Sequence, residues 1–219
     1  HRTFNFFWEL ADTSNWQTPD RWPTLTFSSI AATGFGLSSY LVGVEKGYIT
    51  REQAAIRVLN TLRVLASLPQ GPDSAGVSGY KGFFYHFLTL DKALRFNKVE
   101  LSSIDTGLLM AGILSTMTYF DGDSAEEQEI HKLADDLYRR VEWNWMLNDS
   151  TRLSMGWHPE SGFIQSDWRG YNEAMILLLM AIASPTHPIP VESWGRWCST
   201  YQWGTFQDQD NVQFEPLFG

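Results

Sequence analysis

Two kinds of helix alternate along the chain, according to the pattern of its hydrophobic and polar positions. Residues 50–68 and 124–146 carry apolar side chains at helical spacing on one side and charges on the other, a pattern typical of helices with one solvent-facing side. Residues 29–44, 104–120 and 171–184 are apolar nearly all round, which predicts helices that are buried on every side. We therefore expect three buried helices separated by two outer, amphipathic helices.

Local signals support the starts of the two outer helices and add further elements. Each start has the spacing of a capping box, in which the side chains of two residues bond each other's backbone N–H groups. These pairs are Thr50 with Gln53, and Ser124 with Glu127. A further amphipathic helix is predicted over residues 191–203, and short β-strands are predicted within residues 79–87 and 162–166. The predicted class is nevertheless all-α.

A sequence echo accompanies the alternation. The letters SSIA of residues 28–31 recur as SSID at residues 102–105 and, more weakly, as GYNE at residues 170–173. Each copy opens one of the predicted buried helices, and repeated hairpins of an inner and an outer helix predict a toroid of helix pairs. Because three hairpins make about half of a closed toroid, we expect residues 1–219 to be part of one larger toroidal domain.

Charge and composition exclude several classes of function. With 16 basic and 25 acidic residues the net charge is −9, which argues against nucleic acid, since phosphate binding needs a concentrated positive patch. The longest apolar run, residues 174–183, is too short to span a membrane. The single cysteine, Cys198, excludes an internal disulfide. Because the chain opens on His1 and not on Met, we expect a signal peptide or another leading segment to have been removed.

Two carboxylates on apolar helices are the candidates for chemistry. Asp105 and Glu173 hold the same position in the echo, in the first turn of a buried helix. One interpretation is that each stabilises its helix N-terminus through the helix dipole. The other is that both face the mouth of a cavity, where two carboxylates can hydrolyse a glycosidic bond. One would protonate the leaving oxygen, and the second would activate water or attack the sugar.

The chain is rich in aromatic residues, with ten Trp, eight Tyr and fourteen Phe, and such a surplus is typical of rings that line a groove as well as a core. We expect aromatic faces to stack on sugar rings and polar groups to bind the hydroxyls, on one concave surface with the two carboxylates. The predicted substrate-binding residues are Glu100, Arg21, Tyr85, His86, Trp157, Trp168 and Tyr171.

Metal ions and cofactors are not expected. The five histidines, at positions 1, 86, 131, 158 and 187, never fall in a metal-binding spacing. The sequence DGD of residues 121–123 lacks the rest of a calcium-binding loop. Residues 34–36 read GFG but have neither the lysine nor the preceding strand of a phosphate-binding loop.

Several long motifs resemble one family, the bacterial glycoamylase-like proteins. This family includes endo-β-1,2-glucanases and a domain of the cyclic β-1,2-glucan synthases. The matching motifs include FNFFWE at residues 4–9, SIAATGFGL at 29–37, GFFYHF at 82–87, ELSSIDT at 100–106, GYNEAMIL at 170–177 and SPTHP at 184–188.

The resemblance implies an (α/α)6 toroid that hydrolyses a β-glucan, most directly a β-1,2-glucan, with inversion. It implies that Glu173, in the Tyr-Asn-Glu-Ala motif, is the general acid, and that Asp105 and Glu100 are acidic positions near the sugar. Family members are about twice this length, so the missing C-terminal half of the toroid is the expected partner of this chain. We expect that half to supply the general base, and we expect a periplasmic or secreted location.

Two other functions stay open from the sequence. One is a glucoamylase-like enzyme that cleaves an α-glucan, as the traditional label of the family suggests. The other is a non-catalytic domain that binds glucan, like the domain within the cyclic glucan synthases. Replacing Glu173 by Gln separates an enzyme from a binding domain, because only the enzyme would lose an activity.

Overall fold

The fold is mainly helical and contains several very short strands. It is a computed structural model in which residues 1–11 and 13–200 are described, together with the backbone of four two-residue strands after residue 201. The described α-helices are α1 (Arg2–Leu10), α2 (Ile30–Glu45), α3 (Arg51–Ser67), α4 (Ser103–Tyr119), α5 (Ala125–Arg139), α6 (Ala174–Ala183) and α7 (Glu192–Cys198). A 3-10 helix spans Trp143–Leu147.

The strands pair in small antiparallel sheets that join the ends of the helices. They are β1 (Ser28–Ser29), β2 (Gly79–Tyr80), β3 (Phe83–Phe84), β4 (Phe87–Leu88), β5 (Leu101–Ser102), β6 (Gly156–His158), β7 (Gly162–Phe163), β8 (Gln202–Trp203), β9 (Phe206–Gln207), β10 (Gln213–Phe214) and β11 (Leu217–Phe218). The order β5-β6-β7 forms a three-stranded sheet, and the other pairs are β1 with β4, β2 with β3, β8 with β11, and β9 with β10. The predicted short strands are confirmed, and the strict all-α class is corrected to a helical fold with short strands.

The inner and outer helices form two layers. In the inner layer α4 packs between α2 and α6, and in the outer layer α5 packs against α3 and also against α4. The helices α2 and α4 approach closely, because a Cβ atom on either Gly34 or Gly112 would clash with the backbone of the other helix. The three predicted inner helices are therefore confirmed as neighbours, with α6 beginning three residues later than predicted.

The sequence predicted inner helices that are buried on every side, but the described residues leave one side of them uncovered. Phe35 and Val42 on α2 and Leu179 on α6 are each more than half exposed. The opposite sides of the same helices are fully buried, for example at Leu37 and Leu177. The inner layer therefore has one apolar face that the described residues do not cover.

The predicted outer helix over residues 124–146 is correct as far as Arg139 and wrong beyond it. Helix α5 ends at Arg139, and the backbone N–H of Glu142 donates to the carbonyl of Lys81 at 3.0 Å instead of continuing the helix. The cap at Ser124 is also only half a capping box. Its hydroxyl accepts from the N–H of Glu127, but the Glu127 carboxylate binds the guanidinium of Arg51.

The other predicted helix starts and ends are mostly confirmed. Thr50 and Gln53 form the complete capping box before α3. Helix α7 ends at Cys198, earlier than the predicted residue 203, and residue 201 of that range lies outside the described residues. In the described part of the chain, no helix has both the length and the apolar character that a membrane crossing requires.

Candidate active site

The site is built where β5 runs into α4. Glu100 lies immediately before β5, and Asp105 lies in the first turn of α4. His86 lies in the turn between β3 and β4, and its backbone is fixed on both sides. Its N–H donates to the carbonyl of Glu100 at 3.0 Å, and its carbonyl accepts from the N–H of Ile30, the first residue of α2, at 3.3 Å. The strand pairing therefore delivers the three side chains to one place.

The imidazole of His86 lies between two carboxylates. Its Nδ1 is 2.7 Å from Oε1 of Glu100, and its Nε2 is 3.5 Å from Oδ1 of Asp105. The ring stacks on Phe87, with the ring centroids 3.9 Å apart. We refer to Glu100, His86 and Asp105 as the carboxylate–imidazole triad.

Asp105 is held from its other side by the cap of α4. The hydroxyl of Ser102 donates to Oδ2 of Asp105 at 2.5 Å, and the backbone N–H of Asp105 donates to the same hydroxyl oxygen at 3.2 Å. Only 7% of Asp105 is exposed. Asp105 therefore lies at a capped helix N-terminus, as the first interpretation from the sequence expects, and the second, that it faces the mouth of a cavity, stays a prediction.

The electrostatics of the triad follow from burial and mutual contact. Burial raises the pKa of Asp105, and the opposing charge of His86 and hydrogen bond of Ser102 do not cancel that rise. For His86, burial lowers the pKa, but the hydrogen bond to Glu100 and the charges of Asp105, Glu100 and Asp20 outweigh burial and raise it. Burial also raises the pKa of Glu100, but the hydrogen bond from His86, a backbone hydrogen bond and the charges of His86 and His158 together outweigh burial, and the pKa is lowered. These shifts favour a protonated imidazole next to an ionised Glu100.

The triad is also the place where a cation could fit. One donor atom from each of His86, Glu100 and Asp105 lies within 4.8 Å of the others. A shared cation would have to displace the imidazole from at least one of its two carboxylates, since each ring nitrogen faces one of them. The geometry favours a hydrogen-bonded triad.

Glu173 lies at the start of α6, near the triad's end of α4. One turn into each helix, the small Gly107 of α4 sits against Leu177 of α6, so the two helices begin at the same end of the inner layer. Glu173 is exposed, and its side chain makes no cap hydrogen bond. Together with Leu108, Tyr171 and other residues, Glu173 lines a concave surface that encloses a volume of about 510 Å³. Tyr171 is more than half exposed there, as expected of a residue that meets a ligand.

Two predicted sugar-binding aromatic residues are buried. Trp168 is only 8% exposed, and its indole N–H donates to the hydroxyl of Ser103 at 2.9 Å. Tyr85 is fully buried beneath the guanidinium of Arg95, which lies 4.6 Å from its ring centre. Neither ring presents a face to a ligand, so the prediction that they bind sugar directly is wrong. Both side chains belong to the buried core of the protein.

Trp157 lies on the face of its sheet opposite Glu100, and its predicted contact with the sugar stays a prediction. It is half-buried and packs on Tyr80 and Trp145, at ring distances of 5.4 and 5.6 Å. Since Trp157 is paired with the buried Leu101 of β5, it lies opposite the face that carries Glu100.

Arg21 belongs to an exposed loop beside His86. Its guanidinium pairs with Asp20 at 2.7 Å and lies 5.5 Å from the ring centre of Phe27. Phe27 in turn contacts Phe87 with a ring distance of 4.2 Å, which is the ring on which His86 stacks. Arg21 is therefore linked to the triad through these two rings and is paired with a neighbouring carboxylate, and its binding of the substrate stays a prediction.

Several residues of the site were missed by sequence reasoning. Ser102 precedes Asp105 by three residues, which is a helix-capping signal. It was missed because both residues were considered only as part of the repeated SSID sequence. Asp20 is acidic but carries no motif, and only the folded loop brings its charge to His86. Trp22 is 63% exposed and follows Arg21; in the part of the chain that the structure describes, no other tryptophan is as exposed.

The buried Arg95 joins the segment between β4 and β5, which contains Glu100, to Glu160 in the turn between β6 and β7. The Arg95 side chain is 1% exposed and donates to both carboxylate oxygens of Glu160, at 2.8 and 3.1 Å. It also donates to the carbonyl of Val99 at 2.8 Å, next to Glu100. Because charge-assisted, bidentate pairs add geometric specificity as well as energy, Arg95 holds the segment before Glu100 in place.

Comparison with known proteins gives a consistent result. Residues 165–219 match the model of the Glycoamylase family, described as "Putative glucoamylase". The chain is 28% identical over 225 residues to the exo β-1,2-glucooligosaccharide sophorohydrolase (non-reducing end) of Parabacteroides distasonis, with 94% of this chain and 30% of that protein covered. The resemblance to the glycoamylase-like family that the motifs suggested is confirmed.

Solved structures show the same fold. An endo-β-1,2-glucanase from Chitinophaga pinensis, in complex with sophorotriose and glucose, superposes with a TM-score of 0.82 at 23% identity, over 98% of this chain and 52% of that chain. A β-1,2-glucanase from Parabacteroides distasonis superposes with a TM-score of 0.79 at 25% identity, over 94% of this chain and 29% of that chain. The chain thus spans about half or less of the length of these proteins.

Proposed function

We propose that this chain is part of a glycoside hydrolase that acts on a β-glucan, most directly a β-1,2-glucan. The observation that carries the proposal is the arrangement at the starts of α4 and α6. One of these neighbouring helices begins with the triad residue Asp105, and the other begins with the exposed Glu173 on a concave surface. The similarity to the sophorohydrolase and the β-1,2-glucanase of Parabacteroides distasonis supports the choice of substrate.

Glu173 is the proposed general acid. Glycoside hydrolysis needs one carboxylic acid that reaches the leaving oxygen, and an exposed side chain at the edge of a concavity can do so. No cap hydrogen bond restrains Glu173, so its carboxyl is available to a substrate. Exposed Tyr171 beside it supplies a ring for the sugar.

Asp105 is the proposed second acidic group, in contact with the sugar. Its two oxygens are already engaged, one by Ser102 and one facing His86, which favours holding a hydroxyl over activating a free water. We therefore assign the general base of an inverting mechanism to the part of the relatives' fold that this chain does not span. The inverting outcome itself follows from the family resemblance.

A complete (α/α)6 toroid is the proposed architecture, with the remaining helices as the partner of the inner layer. Its support is the uncovered apolar face of α2 and α6, which includes Phe35, Val42 and Leu179. Side chains of this kind gain free energy when a partner removes them from water. A periplasmic or secreted location fits a polymeric sugar substrate, and cell fractionation tests it.

The experiment is an assay of reducing-sugar release on a panel of β-1,2-, β-1,3-, β-1,4- and α-1,4-linked glucans. The chain is assayed alone and then with the remaining half of the fold added in trans. We expect release from β-1,2-glucan only when both parts are present. Release from α-1,4-glucan would favour the glucoamylase-like alternative that the family description suggests. Full activity of residues 1–219 alone would show that the base lies in this chain.

A further inference from the structure

The position of His86 between two carboxylates has a consequence for Asp105. A buried carboxylate loses the solvation that stabilises its charge, and it then tends to take up a proton. A positive charge within about 4–6 Å opposes that tendency, because it favours the charged form. In this site the opposing charge is that of His86, whose Nε2 lies 3.5 Å from Oδ1 of Asp105.

We propose that His86 is a positioning residue which, clamped by Glu100, favours the ionised form of the buried Asp105 against the effect of burial and fixes the direction of its carboxylate. Glu100 is then neither an acid nor a base of the reaction but the group that orients the imidazole. That the site needs an ionised Asp105 depends on the proposed function, because a bound sugar hydroxyl or water donates its hydrogen bond to an acceptor. The charge relation itself can be measured without any substrate.

The contacts of His86 explain why it can perform this role. Its Nδ1 is committed to Glu100 at 2.7 Å, so its second nitrogen is directed towards Asp105. The backbone bonds of His86 to Glu100 and Ile30, together with the stack on Phe87, hold the ring in that orientation. A ring held in this way loses little conformational freedom when it pairs with Asp105.

The surrounding charges favour the protonated imidazole. His86 is faced by three acidic groups, namely Asp20 from the exposed loop, Glu100 before β5 and Asp105 on α4. On the side of Asp20 the nearby cation is Arg21, whose guanidinium pairs with the Asp20 carboxylate. The raised pKa of His86 and the lowered pKa of Glu100 agree with an imidazolium between carboxylates.

Basic side chains around Glu100 reinforce this arrangement. His158 of β6 lowers the pKa of Glu100, and its Nδ1 lies 3.4 Å from a guanidinium nitrogen of Arg95. Arg95 is in turn neutralised by Glu160. Glu100 therefore has His86 on one side and His158 on another, which keeps it ionised and able to accept from His86.

The experiment follows the titration of Asp105 and His86 by carboxyl-carbon and imidazole-nitrogen NMR, in the wild-type protein and in three variants. In His86→Gln the midpoint of Asp105 should rise by at least about one pH unit, a tenfold change in its acid dissociation constant. In Glu100→Gln the midpoint of His86 should fall. The matched control is His131→Gln, on the exposed side of α5, which should leave both midpoints unchanged.

Each outcome decides the proposal. The proposal would be overturned if the titration midpoint of Asp105 stays the same or falls in a folded His86→Gln protein. It would also be overturned if the titration midpoint of His86 is unchanged in Glu100→Gln. If His86→Gln fails to fold, the Glu100→Gln titration gives the decision alone. Where hydrolysis is measured, the acid limb of kcat/KM should move to higher pH in His86→Gln. Absence of hydrolysis in the wild-type protein, with the remaining half of the fold supplied, would refute the proposed function and leave the titration result standing.

Discussion

The starts of α4 and α6 hold equivalent carboxylates in very different surroundings. Asp105 at the start of α4 is buried, capped by Ser102 and faced by His86. Glu173 at the start of α6 is exposed and makes no cap bond. One position is fixed by its neighbours, and the other is open to a ligand. These different surroundings support the proposed roles, in which Asp105 is a rigid acceptor and Glu173 an accessible acid.

The largest expected effect concerns Trp168, the residue that ties the two helix starts together. Its indole precedes α6 and donates to Ser103 of α4, and the ring is buried. Trp168→Ala should therefore lower the free energy of unfolding by about 3–5 kcal/mol, measured by urea denaturation. Trp168→Phe keeps most of the packing and should cost about 1 kcal/mol, the hydrogen bond alone. A loss below about 1 kcal/mol for the Ala variant would show that the two starts are held together by other contacts.

The next effect compares the two carboxylates directly. Asp105→Ala leaves the buried hydroxyl of Ser102 and the imidazole of His86 without their partner, which should cost about 1–3 kcal/mol of stability. Glu173→Ala removes an exposed side chain and should change stability by no more than about 0.5 kcal/mol. Thermal or urea unfolding of the two variants tests this contrast. Equal losses would mean that Glu173 is as constrained as Asp105, against the structure.

A smaller effect is expected in the pH dependence of Glu100, the carboxylate that orients His86. Burial raises the pKa of Glu100, but the hydrogen bond and charge of His86, a backbone hydrogen bond and the charge of His158 together outweigh burial, and the pKa is lowered in the folded protein. Such a group stabilises the fold above its unfolded pKa, and the contribution is lost as pH falls through the folded value. The stability cost of Glu100→Gln, measured by urea unfolding, should therefore be larger at pH 6 than at pH 3. A cost that grows towards low pH would contradict the lowered pKa.

Much of the helical framework could be predicted from the sequence, because apolar spacing and caps are local. The capping box of Thr50 and Gln53 and the buried stripe of α3 are examples. The end of α5 could not be predicted in the same way. There the N–H of Glu142 bonds Lys81, a residue far along the chain, and no local pattern records that contact. Glu127 likewise binds Arg51 of another helix in place of its own cap.

The acidic residues of the candidate site were easier to single out from the sequence than its aromatic residues. Asp105 and Glu173 stand out because a charge on an apolar helix is conspicuous in a sequence. Tyr85 and Trp168 were expected on a sugar-binding surface, but aromatic side chains serve cores and grooves equally well. Only the fold shows that both are buried. The role of His86 also needed the fold, since the strands bring Glu100 and Asp105 to its two nitrogens.

The most direct test of glycoside hydrolysis at this site is the rate of β-1,2-glucan cleavage in Glu173→Gln, measured together with glucan affinity and with the remaining half of the fold supplied. We predict a fall in kcat of about 10²–10⁴-fold, the usual contribution of a general acid, with the affinity for a β-1,2-glucooligosaccharide nearly unchanged. The matched control is Glu52→Gln, an exposed glutamate in the first turn of α3, which should keep full activity. A Glu173→Gln protein that hydrolyses glucan at the wild-type rate would contradict the assignment of Glu173 as the general acid.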